Sequence, residues 1–132
     1  MDIHEIIVNA KLGSARKDAQ IDACTAFASA LSDFLNENQI THEAYTVSYL
    51  LYGKAKWYHA VIKVEDSYYD SLGLFNDDLV NQRSKIHKNV LPHVEIVYKK
   101  DVVECDPDFE EMRSFFLKKL NLSLKRSLKI AA

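Results

Sequence analysis

Apolar and polar positions change their period several times along the chain, and each change marks an element. Residues 22–36 carry the clearest helical pattern. Cys24, Phe27, Ala28, Leu31, Phe34 and Leu35 recur at three- and four-residue steps, and abundant alanine favours a closely packed helix. Asp22 is a candidate N-cap that would set Cys24 in the first turn; a start nearer Asp18 would set it deeper. Upstream, residues 2–10 read as a short helix closed by Lys11-Leu12-Gly13, with Ser14 or Asp18 opening the next segment. The period then drops to two. Residues 43–52, 57–64 and 68–74 read as strands of an antiparallel meander, separated by the polar Gly53-Lys54-Ala55-Lys56 and by Glu65-Asp66-Ser67. Asn76-Asp77-Asp78 caps a helix running from about Asp77 to His87, and Pro92 precedes a strand at 94–98 that can continue through Val102-Val103. Asp106-Pro107-Asp108 opens a helix at 109–120, whose Phe109, Met112, Phe116 and Leu120 share one stripe. Residues 122–130 form an amphipathic extension. Helices segregated from an antiparallel sheet predict an α+β fold.

Composition narrows the picture. A chain of 132 residues fits a single domain, and 48% hydrophobic with 27% charged residues describes a globular protein with a real core. The formal net charge of −2 argues against nucleic-acid binding driven by bulk charge. Lys118, Lys119, Lys125, Arg126 and Lys129 nevertheless make the C-terminal region, 108–130, basic. Such a run is ordinarily a solvated helix face, and alternatively a contact for an acidic partner or a membrane surface. No apolar run is long enough for a transmembrane helix, and the acidic start Met1-Asp2-Ile3-His4-Glu5 lacks a signal-peptide core, so a cytoplasmic location is expected. P-loop, GxGxxG, HExxH and GxSxG motifs are all missing.

Three residues carry candidate chemistry: Cys24, His59 and Asp70. A nucleophilic thiol must be ionised near neutral pH, and a helix N-terminus favours the anion. A neighbouring imidazolium favours it further and later supplies a proton, while a third group holds the ring in place. With Glu65-Asp66 as the hairpin turn, Val61 faces Asp70 and His59 faces Leu72. His59 and Asp70 then sit one diagonal step apart on the same face, and a one-residue slip of the turn would separate them. Trp57 lies on the His59 side of its strand, opposite Tyr58, and is a candidate wall of a substrate cleft or a core residue.

The stretches Asp22-Ala23-Cys24-Thr25-Ala26-Phe27-Ala28-Ser29-Ala30-Leu31 and His59-Ala60-Val61-Ile62-Lys63-Val64-Glu65-Asp66-Ser67-Tyr68-Tyr69-Asp70-Ser71-Leu72-Gly73 resemble the papain-like cysteine peptidase superfamily, most of all its compact bacterial and phage amidase and transglutaminase-like branches. The likeness covers residues 22–75. It implies a papain-like domain, with Cys24 as nucleophile, His59 as general base and Asp70 as orienting residue. It also implies acyl-transfer chemistry on a peptide or protein amide, with no cofactor and no metal. Gln20, four residues ahead of Cys24, stands nearest to the oxyanion glutamine of the superfamily, and the backbone N–H of Cys24 is a second oxyanion candidate.

Each residue has a plainer reading as well. Cys24 could be a small buried hydrophobe, His59 a strand residue satisfied by backbone, and Asp70 a turn cap. Cys105, between Glu104 and Asp106, sits in an acidic setting that should raise its pKa and leave it inert. His4, His42, His59, His87 and His93 have no metal-ligand spacing. Two functions therefore stand side by side. One is a cysteine-dependent peptidase, amidase or deamidase. The other is a non-catalytic interaction or inhibitor protein of phage or mobile-element origin on the same fold.

Overall fold

A computed structural model describes residues 1–83 and 87–131. The elements run α1 (Ile3–Asn9), α2 (Ala15–Asp18), α3 (Cys24–Glu37), β1 (Glu43–Leu51), β2 (Lys54–Val64), β3 (Ser67–Asp70), β4 (Gly73–Phe75), α4 (Asp77–Arg83), β5 (Val94–Lys100) and α5 (Glu110–Ala131). Short 3-10 turns at Lys88–His93 and Pro107–Phe109 precede β5 and α5. The architecture is α+β: one five-stranded antiparallel sheet, in the order β4-β3-β2-β1-β5, with helices packed on it.

Two clusters of buried side chains flank the sheet. The larger joins Ile3, Ile6 and Ile7 of α1, Phe27, Leu31, Phe34 and Leu35 of α3, Phe116 and Leu120 of α5, and Ile62 of β2. Phe27 meets Phe116 edge to face, with ring centroids 5.3 Å apart, an arrangement that adds to simple area burial. The smaller cluster gathers Val47, Tyr49, Val61 and Phe75 under Val80 of α4. The period-two pattern of β2 explains the division, since Val61 and Ile62 must point to opposite sides.

Turn chemistry sets the register. Tyr52 and Gly53 both have positive φ, 51° and 77°, as a two-residue hairpin turn between right-twisting strands requires. The expected turn at 53–56 is therefore shorter, and Lys54, Ala55 and Lys56 belong to β2 despite their polarity. Lys56 is the extra residue of a bulge, because Tyr49 pairs with Trp57 but Leu50 pairs with Ala55. The second hairpin turns at Glu65-Asp66, so that Val64 pairs with Ser67 and Ile62 with Tyr69.

Several boundaries differ from the sequence expectation. The strand expected at 68–74 breaks at Ser71-Leu72, and Gly73, at φ 98°, sends the chain back as β4. A Cβ at Gly73 would stand 2.3 Å from the ring Nδ1 of His4, so the close approach of α1 demands glycine here. The chain leaves α1 at Ala10 in extended conformation rather than through a glycine cap. Ala23, not Asp22, caps α3. The helix expected at 77–87 is described as Asp77–Arg83; residues 84–86 lie outside the described residues, and β5 stops at Lys100. At the C-terminus the expected helix and its extension form one continuous α5, with Phe109 in the 3-10 turn before it. Replacing Phe116 by alanine should cost about 3–5 kcal/mol of stability. Urea denaturation checks this, a midpoint falling at constant slope being the expected result and a loss below about 1 kcal/mol the contrary one.

Candidate active site

Cys24 is the first residue of α3 and is half-buried. The first N–H groups of any helix lack intrahelical acceptors and carry the positive end of its dipole. Ala23 offers no side-chain cap to satisfy them, so this end of α3 remains electropositive around the sulfur. Strand β3 pairs with β2 only over residues 62–64 before turning away. The part of β2 that β3 leaves uncovered is where the thiol docks, with the Ala60 N–H as one of its partners.

His59 is 2% exposed, and so is Asp70. The ring Nε2 lies 2.8 Å from Asp70 Oδ2. Asp70 Oδ1 in turn accepts from the Leu72 N–H at 2.9 Å, which is the local turn that an Asp two residues upstream commonly stabilises. The imidazole is held between aromatic rings. Trp57 stacks on it at 5.2 Å and Phe75 lies tilted at 5.5 Å. Nδ1 is buried and makes no hydrogen bond of conventional geometry among the described residues. The Cys24 thiol interacts with the imidazole through looser hydrogen bonding and through charge.

The electrostatics favour ionisation of both partners. Burial pushes the Cys24 thiol up, but hydrogen bonding to His59, the Ala60 N–H, the charge of the ring and the Thr25 N–H together bring it below its ordinary value. Burial likewise opposes a charged His59, yet the Asp70 hydrogen bond and Cys24 outweigh it and leave the ring above its ordinary value. A thiol moved down and an imidazole moved up are shifts in the direction of a thiolate–imidazolium pair, since each favours the charged form. Cys105 goes the other way: burial and then Glu110 raise its thiol, with Asp106 adding to them against Arg113.

The turn that presents Asp70 is pinned from α2. The Arg16 guanidinium donates to the carbonyl of Ser71, and also to those of Ile7 at 3.0 Å and Ala10 at 2.6 Å. The buried Ser71 hydroxyl donates to the Arg16 carbonyl at 2.8 Å. Gln20, the expected oxyanion donor, gives its amide N–H to Ser71 Oγ at 2.5 Å and keeps its own carbonyl oxygen buried without a partner among the described residues. It is therefore braced against the same turn, bonded to the residue that follows Asp70. Trp57 lies against His59 and, with Gln20, lines a surface cleft.

Cys24, His59 and Asp70 are thus brought together, with Trp57 and Gln20 at their margin. Sequence reading missed Phe75, Ser71 and Arg16. Gly73 carried the signal for the turn that places Ser71 and Phe75, whereas nothing local distinguishes Arg16 from a surface arginine. Among the described residues no group of three or more His, Cys, Asp or Glu is placed to hold a metal ion, and no helix is long and apolar enough to cross a membrane. Comparison with family models, curated proteins and solved structures yields no match.

The two shifts have definite signs. With the thiol lowered, the thiolate persists below the ordinary cysteine value of about 8.5 and is lost only as pH falls through the lowered value. With the ring raised, the imidazolium survives above about 6.5 and is lost as pH rises through the raised value. Alkylation of Cys24 by iodoacetamide should accordingly stay fast at a pH where Cys105 is nearly inert, and His59→Ala should shift the Cys24 profile upward. Peptide mapping of the modified cysteines against pH checks both; parallel profiles for the two thiols would contradict the pairing.

Proposed function

We propose that the chain is a cysteine-dependent acyl-transfer enzyme of papain-like type, acting on an amide of a peptide or protein in the cytoplasm, where thiols remain reduced. The observation that carries this reading is the buried His59, fixed by Asp70 at Nε2 and interacting with the Cys24 thiol. A purely structural histidine needs neither a thiol at a helix start nor a pair of ionisation shifts of opposite sign.

The chemistry follows from the pair. The Cys24 thiolate attacks the carbonyl carbon and forms a C–S bond, and negative charge passes to the carbonyl oxygen. Backbone N–H groups at the start of α3, that of Cys24 first among them, are the donors for this oxyanion; Gln20, engaged with Ser71, comes second. Collapse breaks the C–N bond, and His59 gives its proton to the departing amine. Neutral His59 then takes a proton from water as the water attacks the thioester. The C–S bond breaks, the acid leaves, and the thiolate–imidazolium pair is restored. Peptidase, deamidase and transferase reactions share this acyl-enzyme step.

An activated ester tests the step without knowledge of the natural amide. With p-nitrophenyl acetate, the protein should release a burst of about one equivalent of nitrophenolate, with an acetyl group mapped to Cys24 by mass spectrometry. His59→Ala should slow acylation by at least about 10²-fold, and Asp70→Asn should slow it while preserving the fold. Absence of a burst, or acetylation of Cys24 no faster than of Cys105, would favour an interaction protein with an idle triad.

A further inference from the structure

A cleft of about 400 Å³ opens between Lys17, Gln20, Ile21, Trp57 and Tyr58. Two of its walls lead to the His59–Asp70 pair. Trp57, on one wall, stacks on the His59 ring, and Gln20, on another, is tied to Ser71 beside Asp70. Two of the lining residues are large apolar side chains left in solvent: Ile21 is 69% exposed and Tyr58 is 62% exposed. Exposed apolar groups of this size around a concave surface signal a binding site rather than a packing need. The volume is at the small end of the range for ligand pockets, about 300–1,000 Å³, which suits one side chain rather than a cofactor. Gln20 cannot swing out cheaply to fill the space, because its amide is anchored to a buried serine.

We infer that this cleft is the specificity site of the proposed enzyme and that it receives a bulky aromatic or aliphatic side chain flanking the scissile amide. The inference rests on the acyl-transfer reading for its function, but on different residues for its geometry. Trp57 and Tyr58, neighbours on β2, supply aromatic surface and Ile21 supplies aliphatic surface. Lys17, exposed at the rim, leaves the apolar floor free of charge and disfavours a cationic side chain. Substrates with small or basic residues at this position are therefore poor ones.

A pair of thiol reagents of matched reactivity separates the two readings. Iodoacetamide reports only on the ionised thiol, whereas N-phenethyl iodoacetamide adds an aromatic group that can enter the cleft. The wild type should react with the aromatic reagent about tenfold faster than with iodoacetamide at Cys24, in line with the binding contribution of a hydrophobic pocket, and show no such preference at Cys105. In Ile21→Ser and Tyr58→Ser, both changes at exposed positions, the ratio of the two rates within each variant should fall towards one. Fast iodoacetamide reaction at low pH with a ratio near one in the wild type overturns the specificity site and leaves the activated thiol standing. A ratio that stays high in both variants overturns it equally. Slow, ordinary iodoacetamide reaction at Cys24 overturns the acyl-transfer reading, and with it the role assigned to the cleft.

Discussion

The hydrogen bond between His59 and Asp70 is the constraint around which the remainder of the site is arranged. Both side chains are almost wholly buried, and an ionised carboxylate in that setting is costly unless every oxygen is engaged. Asp70 meets the condition with the imidazole at Oδ2 and the Leu72 N–H at Oδ1. The pairing occupies Nε2 and leaves Nδ1 buried without a hydrogen bond among the described residues. Removing either partner would strand a buried polar group, which costs several kcal/mol. The turn at Ser71-Leu72, the glycine after it and the Arg16 clamp behind it can all be understood as means of holding one carboxylate in one place.

The position of Cys24 is a second consequence. A short β3 exposes part of β2, and the end of a helix rather than another strand fills the gap. The same exchange that breaks the regularity of the sheet brings free N–H groups, an imidazole and a thiol into one half-buried volume. Desolvation there opposes every charge, and what offsets it is Asp70 and Cys24 at the ring, and His59 with the Ala60 and Thr25 N–H groups at the thiol. Such a pair is stable as a unit and fragile in its parts.

Much of this was legible in the chain. The helix carrying Cys24 follows from its apolar spacing, and the parity of His59 and Asp70 follows from a two-residue turn at Glu65-Asp66, which is where the hairpin turns. The α+β class follows from the segregation of helical and strand periods. What local pattern could not convey is how strand-like residues reverse direction. Tyr68 to Leu74 reads as a continuous strand because Ser71 and Leu72 lack strong turn chemistry, and Gly73 is the sole breaker. The polar Lys54 and Lys56 hide a strand, since an edge of the sheet facing water tolerates them and a bulge absorbs the extra residue. The Arg16 clamp joins residues 55 apart in sequence, and no periodicity encodes such a contact.

The proposed thiolate–imidazolium pair requires that Cys24 add to the charge that Asp70 favours on His59. Nitrogen chemical shifts of the His59 ring, in protein labelled with ¹⁵N-histidine, measure this directly. At about pH 6.5, where an ordinary imidazole is half protonated, His59 should be predominantly imidazolium in the wild type and should lose charge in Cys24→Ser. A ring that is neutral at that pH, or whose protonation ignores the substitution, would contradict the pair.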